Sequence, residues 1–89
     1  MLNVGFRSHK VITAQTFGVL DTHGAYIYLE VDSATDTLFY PNAINPTTGD
    51  PVAAGVDGIP IKAGVTKVVP MAVYNFKADA AVTVVAYRM

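Results

Sequence analysis

Residues 59–87 read IPIKAGVTKVVPMAVYNFKADAAVTVVAY. Val, Ile, Thr, Tyr and Phe dominate this stretch, and such side chains fit the pleated surface of a β-sheet. Two breaks interrupt it. Ala63-Gly64 has the composition of a turn, and Lys77 to Ala80 reads as a short polar hairpin connection. Pro70 falls within the run from Val65 to Phe76. Having no N–H, it cannot donate to a ladder, so the run is expected to divide there, at an edge, a bulge or a change of sheet. From Ala81 to Arg88, Val82, Val84 and Ala86 line one face and Thr83, Val85 and Tyr87 the other. Both faces are largely apolar, the mark of a central strand or one covered on two sides. Two covering layers are therefore expected, with a neighbouring subunit as a candidate source of one.

The upstream chain supplies partners for this block. Met1 to Phe6 is a candidate short strand, with Leu2, Val4 and Phe6 on one face. Lys10 to Gln15 alternates again and Phe17 to Leu20 follows, with Gly18 permitting a bulge or a close backbone approach. Asp21 to Gly24 has a type I turn signature. Ala25 to Val31 is the clearest amphipathic strand: Ala25, Ile27, Leu29 and Val31 are expected to face the core. Tyr26, Tyr28 and Glu30 would then face outward. Asp32 to Asp36 is a polar connection and Thr37 to Tyr40 a short strand. Pro41 to Gly58 holds three of the five prolines and three of the seven glycines, and is expected to be a long irregular loop or arm.

No stretch has helical periodicity. Short strands punctuated by turn signals predict one all-β domain over residues 1–89, a small antiparallel β-sandwich or barrel of jelly-roll-like type. With 89 residues and no cysteine, the chain has a thin core and no disulfide or thiolate metal site to reinforce it. Only 15% of its residues are charged, against about 25% in an average globular protein. That scarcity predicts apolar surface covered by another chain, so a homo-oligomer or docked subunit is expected.

Several function classes are disfavoured. The six basic residues are scattered, so nucleic acid is not an expected partner. No apolar run approaches the ~20 residues of a membrane helix, and membrane association is not expected. MLNVGFRSHK lacks the pattern of a signal peptide, which points to the cytosol or a particle assembled there. His9 and His23 are too few for a zinc site. Asp32, Asp36, Asp50 and Asp57 do not have calcium-loop spacing, and aspartates in turns ordinarily bond to backbone. Ser8, His9, His23 and Asp21 do not form a nucleophile elbow. Neither an enzymatic activity nor a cofactor is expected. The candidate interface residues are Tyr26, Tyr28 and Tyr40, with Pro41, Pro46 and Pro51 of the loop. Tyr buries a large area at low entropic cost, and an exposed pair such as Tyr26 and Tyr28 suits a sugar ring as well as a protein.

The segment IPIKAG followed by VTKVVPMAVYNFKADAAVTVVAY resembles the end of small bacteriophage virion proteins of β-sandwich or barrel type. The match runs from Gly58 to Arg88, about a third of the chain. It rests on an apolar-Pro-apolar-Lys-Ala-Gly strand and turn, a long strand, and an Ala/Thr/Val-rich hairpin ending in an aromatic. The resemblance implies a homo-oligomer, often three-fold, that decorates or cements a capsid by binding the major capsid protein. Other implied roles are a neck, tail or fibre-base component bound to another virion protein. The protein would then reside in the virion, made in the host cytoplasm. The alternative from another class is a small carbohydrate- or protein-binding β module.

Overall fold

A computed structural model of the protein describes residues 8–20, 26–44, 48 and 58–88. These form an all-β domain, with an antiparallel sheet nearly closed into a barrel. Six strands appear in the order β1 (Ser8–Val19), β2 (Tyr28–Ser33), β3 (Thr37–Pro41), β4 (Ile59–Ile61), β5 (Lys67–Val69) and β6 (Asn75–Arg88). The hydrogen-bonded order is β4-β3-β6-β2-β5, with β1 on the opposite edge of β6.

The last strand organises the domain. One edge of β6 pairs with β1, from Ser8 opposite Arg88 to Val19 opposite Asn75. Its other edge is divided. Phe76 to Ala78 pair with β3, and Val82 to Tyr87 pair with β2. A strand that serves two sheet portions in succession makes a corner, and the sheet folds over itself there. The β1 ladder is irregular at the same place. Ala14 adopts a φ of 54°, and the register shifts between Ile12 and Gln15 and again between Gln15 and Phe17.

Side-chain alternation along β6 holds from Phe76 to Tyr87, after a start at which Asn75 and Phe76 are both buried. Phe76, Ala78, Val82, Val84 and Ala86 are buried and Lys77, Asp79 and Ala81 exposed, while Thr83, Val85 and Tyr87 are half-buried on the outer face. Inside, they meet Leu29 and Val31 of β2, Phe39 of β3, Ile61 of β4 and Val69 of β5, with Leu20, Tyr26 and Val73 from the connections. Phe39 and Phe76 stack at 5.2 Å between ring centroids.

Several expectations change in detail. Lys77 to Ala80 is not a hairpin connection but the middle of β6. Its polar residues are simply the outward half of a strand, and Ala78 is small because Phe39 lies directly opposite it. Lys10 to Gln15 and Phe17 to Leu20 belong to one strand, with Leu20 just beyond its end. The bulge sits at Ala14 instead of Gly18, and Gly18 provides the close approach. A Cβ there would fall 2.6 Å from Phe76 Cε2 and 2.8 Å from Ile12 Cδ1. Pro70 does divide its run: β5 ends at Val69 and β6 begins at Asn75. The Ala63-Gly64 turn is present, with Gly64 at a φ of 73° and Val65 N–H donating to the Lys62 carbonyl. The Met1 to Phe6 strand and the Asp21 to Gly24 turn lie outside the described residues.

Around Tyr26 the alternation slips. Tyr26 forms an isolated bridge with Val73 and is 5% exposed, whereas Ile27 is 43% exposed and Leu29 is again fully buried. Two residues therefore separate consecutive inward positions. Tyr26, expected on the outer face, fills one end of the core beneath the Arg88 guanidinium, 4.8 Å from its ring centroid.

Pro41 also differs from expectation: it is the buried end of β3, paired with Phe76, and not the start of a loop. Two asparagines hold the chain just after it. Asn42 Nδ2 donates to the Ala72 carbonyl, and its Oδ1 accepts from Tyr74 N–H. Asn75, 4% exposed, accepts from Ile44 N–H and donates to the Ile44 carbonyl. Its amide thus serves Ile44 as a neighbouring strand would.

Replacing Phe76 by Ala is expected to cost about 3–5 kcal/mol, the usual loss for a buried phenylalanine. Gly18→Ala is expected to cost about 1–3 kcal/mol, because the facing ring is packed and cannot retreat freely. Urea unfolding of both variants measures these losses; a Gly18→Ala protein as stable as the parent contradicts the close approach.

Candidate interaction surface

The outer face of β1, β6, β2 and β5 carries the most distinctive arrangement of side chains. Ladder register places Val11, Val85, Glu30 and Val68 in one row across these strands. The next row is His9, Tyr87 and Tyr28. Cross-strand neighbours on one face lie ~5 Å apart, so each row is a continuous contact surface. Val11 is 52% exposed and Val68 42%. An outward sheet face ordinarily reads polar, but here valines and aromatics occupy most positions.

Aromatic packing stiffens the second row. The Tyr87 ring lies 5.8 Å from that of His9, tilted by 33°, and 5.8 Å from that of Tyr28, edge-on at 66°. Tyr87 donates its hydroxyl proton to Glu30 Oε1 at 2.9 Å, which ties the two rows together. Accepting that bond, the Glu30 carboxylate holds the Tyr87 phenol above its ordinary pKa, with smaller contributions from partial burial and from the charge itself. At the edge of the face, Thr66 donates its hydroxyl to Asp32.

Tyr40 lies on the other half of the sheet. Its row is Phe17, Lys77 and Tyr40. The Lys77 ammonium stands 6.0 Å from the Tyr40 ring centroid, and Tyr40 donates to Asp79 Oδ2 at 3.2 Å. Desolvation, and then the Asp79 carboxylate, raise the Tyr40 phenol above its ordinary pKa. Phe17 is 58% exposed.

The expected interface residues are therefore not gathered in one place. Tyr28 and Tyr40 pair with Tyr87 and Lys77, ten residues apart on β6, or roughly 30 Å of strand. Tyr26 and Pro41 are buried in the domain, while Pro46 and Pro51 lie outside the described residues. His9, Val11, Glu30, Val68, Val85 and Tyr87 were not named as interface residues from sequence. The signals present were the outward placement of Glu30 beside Tyr28 and the apolar second face of residues 81–88, which carries Val85 and Tyr87.

Of the remaining candidates, Asp36 accepts from Ala63 N–H and Asp32 from the Thr66 hydroxyl, so they tie the end of β2 and the connection after it to the segment between β4 and β5. Asp21, His23, Asp50 and Asp57 lie outside the described residues. Among the described residues no group of three or more His, Asp or Glu side chains is arranged to hold a metal ion. Comparison with protein-family models, curated proteins and solved structures gives no match. The surface itself offers what a protein contact requires: apolar rows, ordered aromatics and a hydrogen-bonded carboxylate near the centre.

A raised phenol pKa means that the folded state favours neutral Tyr87. This contribution to stability is complete below the ordinary phenol value and is lost as pH rises through the folded one. Ultraviolet titration of the parent against Tyr87→Phe should show the missing phenol ionising above the ordinary range. In Glu30→Ala, which removes both the acceptor and its charge, Tyr87 should ionise closer to that range. An unchanged Tyr87 titration in Glu30→Ala contradicts the assigned cause.

Proposed function

We propose that the protein is a non-enzymatic structural component of a bacteriophage virion, a decoration or cement protein that self-associates and binds the capsid shell. The observation that carries this reading is the row Val11, Val85, Glu30 and Val68, apolar except for Glu30, beside His9, Tyr87 and Tyr28 on an outward sheet face. Further support comes from the low charge content, the absence of cysteine and the virion-like C-terminal third. A neck, tail or fibre-base adaptor would use the same surface chemistry on a different virion protein.

The sugar-binding alternative loses the feature that favoured it. Tyr26 turns into the core, so Tyr26 and Tyr28 do not form an exposed pair. Tyr28 instead packs edge-on against Tyr87. Docking to a protein surface accounts for the valines as well as the rings.

Mass spectrometry of gradient-purified particles from the producing host should detect the chain as a stoichiometric component. Val68→Lys combined with Tyr28→Ala should fold but be retained on particles about ten-fold less, a typical loss for truncating contacts at the centre of an interface. Particles that lack the chain would overturn the reading. Undiminished retention of the double variant would overturn the assignment of this face.

A further inference from the structure

Three strand edges have no partner among the described residues: those of β1, β4 and β5. Proline guards two of them. β4 is three residues long with Pro60 at its centre, and β5 is three residues long with Pro70 immediately after it. Short, proline-marked edges resist the addition of another strand. β1 is twelve residues long and contains no proline. Within residues 9–13 only Ile12 is half-buried and the rest are exposed.

An inward lysine often guards such an edge, because an incoming strand would have to cover its charge. Lys10 occupies that position on β1, but its ammonium is already engaged. Its Nζ donates to the Val19 carbonyl at 3.0 Å and lies 3.3 Å from the Leu20 carbonyl. The edge from His9 to Thr13 thus presents backbone donors and acceptors without a charge aimed at the incomer.

We propose that a second copy of this chain docks on the β1 edge, β1 antiparallel to β1 about a two-fold axis through Val11. The inference deepens the self-association in the reading above by naming its contact. A two-fold interface must be complementary to itself. Side-chain parity and the bulge together limit how this edge can meet its own copy. A shift by one residue would turn the outer face of one copy toward the inner face of the other. Centring on Lys10 sets two lysines directly opposite, which is repulsive. Centring on Ile12 sets Lys10 against the second copy's Ala14, where the backbone leaves strand geometry at a φ of 54°.

Centring on Val11 avoids all three. Val11 meets the second copy's Val11, Lys10 meets the second copy's Ile12, and His9 meets the second copy's Thr13. The five residues used end just before the bulge. The valines Val85 and Val11 of one copy then continue directly into Val11 and Val85 of the other, and Glu30 separates this run from Val68 in each copy. A second copy meets these limits with one five-residue segment and sets apolar Val11 against apolar Val11 at the two-fold axis.

The chain contains no cysteine, so single-cysteine variants report the contact directly. Directly opposed antiparallel residues have Cα atoms about 4.5–5.5 Å apart, within reach of a disulfide. Under mild oxidation Val11→Cys should form a covalent dimer at least about ten-fold faster than Val68→Cys, an exposed control on the same face, because a bound copy raises the effective thiol concentration. Sedimentation should show Val11→Lys, which opposes two new lysines, to be about five- to ten-fold weaker in self-association. Its circular dichroism should match the parent, as should its unfolding midpoint at concentrations where both proteins are monomeric.

Equal cross-linking of the two cysteine variants, or a parent protein that stays monomeric at all concentrations, would overturn the inference. Both measurements use purified protein without particles. A monomer that still copurifies with virions would sink this contact and leave the docking reading standing. A Val11-linked dimer absent from virions would do the reverse.

Discussion

The domain depends on the backbone hydrogen-bonding capacity of one strand. β6 pairs with three others, β1 on one edge and β3 and then β2 on the other. Fourteen residues of extended chain would measure about 46 Å if straight, long for a domain of this size, so the strand must turn. The turn explains why its second edge is shared: the first part of the strand belongs to one side of the barrel and the later part to the other. Both strands share the irregularity at the corner: from Ile12 to Gln15 β1 advances three residues against two on β6, from Val84 to Val82. From Gln15 to Phe17 β1 advances two residues, while β6 advances five from Val82 to Lys77. Because β6 keeps its own alternation through the corner, its inner side chains remain aimed at one core.

That arrangement dictates which residues are tolerated inside. Phe39 and Phe76 stack across the corner, so the neighbouring inward position is Ala78 and the facing position on β1 is Gly18. Bulk on one strand is matched by its absence on another, which is how a small core reaches interior packing density. At one end of the core, Asn75 brings a polar side chain into a buried place. It does so without cost because both ends of its amide are satisfied by Ile44. The same bonds hold the chain leaving β3 against the start of β6, where a loop would otherwise pull away.

The β class, the division at Pro70 and the Ala63-Gly64 turn were legible because each rests on local chemistry. Position 78 was not. Lys77 to Ala80 has the composition of a turn, and only the neighbouring Phe39, distant in sequence, shows that Ala78 is an inward strand residue. Tyr26 misled for a related reason: strict alternation from Ala25 to Val31 assigns it outward, but the bridge to Val73 shifts the phase by one. The candidate surface was legible from one strand alone. The apolar second face of residues 81–88 was visible, but Val11, Glu30 and Val68 join it only through register, which composition does not encode.

A small domain has little inner surface with which to offset the entropy of folding. Among the described residues the inner faces of β2 and β6 are already closed by aliphatic and aromatic side chains, which leaves the outer face for further apolar burial. The outer face with Val11, Val85 and Val68 is where that burial is available. In the proposed virion role, a partner that binds the folded chain alone stabilises it by mass action, by about 2.7 kcal/mol when present at one hundred times its dissociation constant. This is a substantial addition to the 5–15 kcal/mol typical of a whole domain. Apolar residues that reduce the solubility of an isolated chain would then favour both its assembly and its persistence once assembled. In that role, sparse charge and the exposed valines of the outer face would be two aspects of one constraint: an 89-residue chain would complete its second hydrophobic layer with a neighbour.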